Sequence, residues 1–137
     1  MSGTLLYLDS SAILKLVVSE PESKALFQLL HHWPIRVSSE LARTEVLRAL
    51  RRAGVKAPEF RRGQKALERI GLMPVESRTL SDAALLKPVL MRSLDAIHLA
   101  TALSLGGDLA GIVTYDDRLS KAASESRVRV LSPRVEN

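Results

Sequence analysis

The stretch Leu5-Leu6-Tyr7-Leu8-Asp9-Ser10-Ser11-Ala12-Ile13-Leu14-Lys15-Leu16-Val17-Val18 decides the fold class. Residues 4–8 are short and apolar on both sides of the alternation, the pattern of a strand buried on both faces. The run ends on an acid. Helical spacing then covers residues 12–18, with Ser10 or Ser11 as the N-cap and Pro21 beyond its end. The same order returns late in the chain, where Gly111-Ile112-Val113-Thr114-Tyr115 runs into Asp116 and a short helix over 117–124.

Between these two units the pattern keeps alternating. A helix over 22–32 carries Ala25, Leu26, Leu29 and Leu30 at helical spacing, and Pro34 leads into a strand over 35–38. Ser39 is placed to cap a helix over 40–53 that Gly54 closes. Pro58 opens a basic helix ending near Gly71, followed by a strand over 72–75. Ser77 or Thr79 begins the next helix, limited by Pro88; another runs over 94–105 to Gly106-Gly107, and a last strand covers 128–131 before a frayed tail. Strands alternating with helices predict an α/β fold, a central parallel sheet flanked by helices. With no repeat, linker or low-complexity tract, residues 1–137 are read as a single domain.

Composition closes off several chemistries. The chain has 137 residues and no cysteine, which excludes disulfide frameworks, thiolate metal sites and cysteine nucleophiles. No apolar run approaches the ~20 residues of a membrane span, so no membrane is expected. No basic residue precedes the first apolar run, Asp9 interrupts it, and no leader is expected; the cytoplasm is the expected location. The net charge is +5, with much of the positive charge between Arg43 and Arg69: Arg48, Arg51, Arg52, Lys56, Arg61, Arg62 and Lys65 lie between them. That stretch suits a nucleic-acid backbone, or else a solvated helix pair. Only five aromatics exist (one Trp, two Tyr, two Phe), so an aromatic stacking platform is not expected.

Against this basic background four acids stand out: Asp9, Glu45, Asp95 and Asp116. In an open α/β sheet ligands bind outside the carboxyl ends of the strands, where Asp9 and Asp116 belong. Each acid also has a local reading. Asp9 and Asp116, or Asp117 in its place, are plausible helix caps. Asp95 suits the first turn of its helix, and Glu45, bordering the apolar arc of Ala42, Val46 and Leu50, has Arg48 at i,i+3. Together the four point to a hard divalent cation and metal-assisted chemistry on a phosphate ester. His98 reads as a hydrogen-bonded core residue, and Ser11 and Thr114 either orient a carboxylate or pair locally. Leu29, Leu30 and Trp33 read as core packing, with a partner surface as the other reading.

Leu6-Tyr7-Leu8-Asp9-Ser10-Ser11-Ala12, Leu94-Asp95-Ala96-Ile97-His98-Leu99-Ala100 and Val113-Thr114-Tyr115-Asp116-Asp117-Arg118-Leu119 resemble the PIN domain, and more closely the VapC toxins of type II toxin–antitoxin modules. Ser38-Ser39-Glu40-Leu41-Ala42-Arg43-Thr44-Glu45-Val46 resembles the family's second motif. The resemblance implies a Mg²⁺- or Mn²⁺-dependent endoribonuclease acting on RNA, a homodimer held in check by a VapB-type antitoxin docked over the early helices near Leu29, Leu30 and Trp33. Asp9, Asp95 and Asp116 would ligate the metal; Glu45 would complete the site directly, through water, or around a second ion. A phosphatase of the haloacid-dehalogenase type needs a second Asp where Ser11 stands, and a receiver domain needs an Asp ending a middle strand. The remaining alternative is a PIN-like RNA-binding or regulatory module without turnover.

Overall fold

The computed structural model describes residues 3–33 and 35–134; the expectations for Pro34 and for the tail at 135–137 lie outside them. The elements run β1 (Leu5–Leu8), α1 (Ser10–Val17), α2 (Ser23–His32), β2 (Arg36–Ser39), α3 (Leu41–Arg52), α4 (Ala57–Glu68), β3 (Gly71–Met73), α5 (Ser77–Ala84), α6 (Ser93–Leu103), β4 (Leu109–Val113), α7 (Asp117–Glu125) and β5 (Val130–Leu131), with a 3₁₀ turn at Gly106–Asp108. The five strands form one sheet in the order β3-β2-β1-β4-β5, and every pairing is parallel. The strand read first from the sequence is therefore the central one, and the chain reverses its winding between β1 and β4. That reversal opens a crevice at the carboxyl edge of the sheet, the usual ligand position in such folds.

Alternation along β1 sorts the core into two layers. Leu6 and Leu8 pack with Ala12, Ile13 and Val17 of α1, Leu26 and Leu30 of α2, Val46 and Leu50 of α3, and Leu67 of α4. Tyr7 faces the other way, with Leu99 of α6, Ile112 of β4 and Leu119 of α7. Helix α6 shows no single apolar stripe because it is enclosed: Ala96, His98, Leu99, Ala100, Thr101 and Ala102 are all buried. Helices α3 and α4 approach closely at Gly63, where a Cβ would stand 2.5 Å from Leu50 Cδ1. Gly54, at φ +70°, ends α3 in the left-handed conformation that the sequence placed there.

Three local expectations are corrected. The N-cap of α1 is Asp9 itself, with Ser10 and Ser11 inside the helix. Strand β4 lies two residues earlier than the apolar run suggests, because it pairs from Leu109 opposite Leu5. Strand β5 contracts to Val130 and Leu131, the two residues that pair with Ile112 and Val113. The core reading of Leu29, Leu30 and Trp33 holds: Leu30 is 1% exposed and the other two are partly buried against the core, which leaves little of them for the partner surface that was the other reading. Leu26 and Leu30, one turn apart, turn inward; the exposed large residue of α2 is Phe27, about 100° around the helix. The basic residues from Arg43 to Arg69 are all exposed, and among the described residues the only ion pair they make joins Arg62 to Glu59 at 4.0 Å.

Candidate active site

Three helices begin beside acids. Asp9, 4% exposed, caps α1: its Oδ1 accepts the Ala12 N–H at 3.0 Å and the Ser11 hydroxyl at 2.6 Å. Its Oδ2 accepts the Thr114 hydroxyl, from just beyond β4, at 2.5 Å. The backbone brings these groups together, since Asp9 N–H donates to Val113 C=O at 3.2 Å. Ser11 Oγ in turn accepts the Tyr115 N–H at 3.0 Å, and Thr114 Oγ1 accepts the Asp116 N–H at 3.1 Å. Both hydroxyls thus orient the carboxylate and tie the two strand ends together. Asp116 caps α7, its Oδ1 accepting from Arg118 and Leu119 N–H at 2.9 and 3.0 Å, while Asp117 falls in the helix's first turn. Asp95 stands in the first turn of α6. Each helix N-terminus contributes partial positive charge where an anion stands.

Glu45 reaches the same edge from the opposite layer. Its Oε1 accepts the Ser10 hydroxyl at 2.8 Å and lies 2.6 Å from His98 Nε2. On its other side His98 Nδ1 lies 2.6 Å from the Tyr7 hydroxyl. A carboxylate only accepts, so Nε2 carries the proton shared with Glu45, and in the neutral ring Nδ1 accepts from Tyr7. This chain, Tyr7–His98–Glu45, joins the two helical layers across the end of β1. His98 is the hydrogen-bonded core residue its sequence context predicts. Its partners, Tyr7 and Glu45, are not marked by any local spacing, and Ser10 reads from sequence only as a cap. The expected Arg48 partner for Glu45 is not among the ion pairs of the described residues.

The electrostatics separate the acids. Burial pushes the Asp9 carboxyl up, and hydrogen bonds from Ser11, Thr114 and Ala12 only partly offset that rise. Glu45 is also penalised by burial, but its bond to His98, with help from Ser10, leaves it below the usual carboxylate range. Asp95 is raised first by burial, then by Asp116, and further by Asp9 and Glu45. All four predicted acids therefore share one field. None of Asp9, Asp95 and Asp116 is in an ion pair with Lys or Arg among the described residues.

Among the described residues no three His, Cys, Asp or Glu side chains stand close enough to hold a metal ion by themselves. The donor set nevertheless fits a hard cation. Its donors are carboxylate oxygens, and a positive charge would relieve the mutual repulsion felt by Asp95. Mg²⁺ keeps several waters and is commonly held by one or two carboxylates, so three touching protein ligands are not required.

The Tyr7–His98–Glu45 chain has a measurable structural weight. His98→Ala is expected to lower stability by about 3 kcal/mol, from a cavity plus a Tyr7 hydroxyl and a Glu45 oxygen left short of a partner. Tyr7→Phe, which removes one neutral hydrogen bond, is expected to cost about 1 kcal/mol. Urea denaturation measures both; a His98→Ala loss no larger than that of Tyr7→Phe would show that the imidazole is not held between the two.

Comparison with known proteins identifies the family and the architecture. The family model described as "PIN domain" matches residues 6–125. Ribonuclease VapC46 of Mycobacterium tuberculosis is 50% identical over 128 residues, 93% of this chain and 97% of that protein. Ribonuclease VapC47 of the same species is 33% identical over 133 residues, 94% of this chain and 97% of that protein. A chain from a toxin–antitoxin complex of Klebsiella pneumoniae superimposes with a TM-score of 0.71 at 21% identity, over 96% of this chain and 99% of that one, so the architecture is shared.

Proposed function

Because this chain belongs to the PIN-domain family, and within it to the VapC ribonucleases, we propose that it is an endoribonuclease, the toxin of a toxin–antitoxin pair, dependent on Mg²⁺ or Mn²⁺. The observation that carries the metal is Asp95, a half-buried carboxylate crowded by three other acids and without a cationic side chain in ion-pair contact among the described residues. Asp9, Asp95 and Asp116 would hold the ion, and Glu45 would complete the site directly, through water, or around a second ion. When bound, such an ion acidifies a water and neutralises charge on the phosphate of an in-line displacement.

The chain's own contribution is positional. Asp9 is fixed through both oxygens by donors from two strand ends. Glu45 is held through Oε1, leaving Oε2 without a protein hydrogen bond among the described residues. The exposed cations of α3 and α4 supply sequence-independent contacts to the RNA backbone. We take the whole chain, 1–137, as one such domain acting in the cytoplasm; no helix among the described residues is long and apolar enough to cross a membrane. We further take the protein to be a homodimer restrained by a cognate VapB-type antitoxin.

An RNA-binding module without turnover would gain nothing from four acids at one sheet edge. Purified protein is expected to cut RNA internally with Mg²⁺ or Mn²⁺, to lose that activity in EDTA, and to regain it when Mn²⁺ is added. Cleavage that persists in EDTA overturns the metal. RNA binding without cleavage under any divalent ion turns the reading to the module without turnover. In cells, expression is expected to arrest growth and co-expressed antitoxin to restore it.

A further inference from the structure

The segment joining α5 to α6, Leu85-Leu86-Lys87-Pro88-Val89-Leu90-Met91-Arg92, is apolar yet exposed: Leu85 is 83%, Val89 89% and Leu90 95% accessible. Single exposed apolar side chains need no explanation, but three within six residues do. Two hollows flank this segment. The larger, about 480 Å³, is lined by Leu80, Leu85, Val89 and Ile97, with Lys87 as its only cation, and does not touch the acids. The smaller, about 400 Å³, lies between the segment and α7. Leu90 and Met91 form its apolar side, Arg92, Arg118 and Lys121 its basic side, and Asp95 is part of its lining. Its volume is within the range of sites that hold a small ligand.

The charges in the smaller hollow are free to act. Arg92, Arg118 and Lys121 are exposed, and none is in an ion pair with a carboxylate among the described residues. Three cations face two acids, Asp95 and Glu125. The lining suits an occupant that is anionic, brings an apolar surface to Leu90 and Met91, and reaches Asp95. A nucleotide within a chain has these features: phosphates for the cations and a base with two apolar faces. No aromatic side chain lines the hollow, so the base would lie on aliphatic carbons and guanidinium planes instead. A paired base is stacked inside its helix and cannot enter.

We propose that the hollow between residues 88–92 and α7 is a subsite for one unpaired nucleotide of the RNA, next to the phosphodiester that is cut. The proposal rests on the endoribonuclease reading and adds which side chains of this chain meet the nucleotide beside the cut. Leu90 and Met91 contact the base and set any preference among bases; Arg118 and Lys121 hold its flanking phosphates.

Binding measured in EDTA separates the proposal from the cleavage it serves. Arg118→Gln combined with Lys121→Gln is expected to weaken binding of a single-stranded RNA oligomer about tenfold or more, and to reduce the slope of log K against log salt by roughly 1.4, about 0.7 for each phosphate no longer neutralised. Leu90→Ala with Met91→Ala is expected to weaken the same binding about tenfold while leaving the salt slope unchanged, since base contacts release no counterions. It should also flatten base preference at one position beside the mapped cut. Leu90, Arg118 and Lys121 are exposed, whereas Met91 is partly buried against the core, so melting temperature is measured for each variant and Leu90→Ala alone repeats the base arm without touching the core. Wild-type affinity and slope in both double variants overturn the subsite, as does equal weakening of duplex and single-stranded RNA by Leu90→Ala with Met91→Ala. Failure of the wild-type protein to cut RNA under any divalent ion would instead overturn the endoribonuclease reading, and the binding arms would still decide the subsite.

Discussion

Asp95→Asn is expected to yield a metal-free protein that melts above wild type and cleaves RNA ~10² times more slowly or worse, the scale on which losing one preorganised electrostatic group acts. The two effects share a cause. Asp95 is raised by burial and by three neighbouring acids, so its ionised form is a cost to folding at neutral pH. Asparagine keeps the shape and removes the charge. The pH dependence has a definite sign. A carboxyl whose folded pKa exceeds its unfolded value favours folding fully at low pH, below about 4, and that contribution is lost as pH rises through the folded pKa. The melting advantage of the variant should therefore be absent near pH 3 and grow toward neutrality. Divalent metal should shrink it by stabilising wild type selectively. A variant that melts lower than wild type at pH 7 would mean that Asp95 serves α6 as a helix-terminal charge and nothing more.

Asp9→Ala is expected to be equally inactive and to have the opposite effect on stability. It removes the acceptor for Ser11, Thr114 and Ala12, which pack around a carboxylate only 4% exposed. Buried donors left unpaired cost about 1–3 kcal/mol, and loss of an N-cap typically about 1 kcal/mol. Two terms offset this. Burying the Asp9 charge is itself unfavourable, as its raised pKa records, and the two hydroxyls can rotate. A net loss of ~2 kcal/mol is expected in urea denaturation. Asp9→Asn, which retains an acceptor for the α1 N-terminus, should lie closer to wild type while remaining inactive and harmless to growing cells. Equal stability of the alanine variant and wild type would show that the Ser11–Asp9–Thr114 arrangement does not hold the sheet edge.

Much of this organisation is legible in the sequence because β1 is buried on both faces. A strand of that kind must be apolar throughout, so an acid closing it is conspicuous. The same reasoning finds Asp116 after β4. The outline of all seven helices follows from apolar spacing together with Gly54, Pro58 and Gly106, whereas Ser39 ends β2 and the N-cap of α3 is Glu40. What spacing along the chain does not carry is contact across it. Ser10 and Glu45 are 35 residues apart and Tyr7 and His98 are 91 apart, yet their bonds orient the site. Register is equally remote: β4 begins where Leu5 needs a neighbour, a fact written in β1 and not in β4. The local and functional readings of Asp9 and Asp116 also turn out to be compatible. Both are helix caps, and each retains lone pairs beyond those its helix uses. Leu29 and Leu30 pack against the core as first read, and the exposed large residue of α2 is Phe27, about 100° from Leu26.

The placement of β1 at the centre of the sheet has a consequence in time. This strand leaves the ribosome long before its partner on one side, β4, made of residues 109–113, and the hydroxyl that locks Asp9 belongs to Thr114. Chains are synthesised at about 5–20 residues per second, and pairings distant in sequence must wait for both ends. Until Asp116 has emerged, the nascent polypeptide lacks one of its acids and the anchor of another. On the roles proposed for Asp9 and Asp116, activity is expected only once Asp116 has been made and has folded, so a shorter copy released from a stalled ribosome is expected to be harmless to the cell that made it.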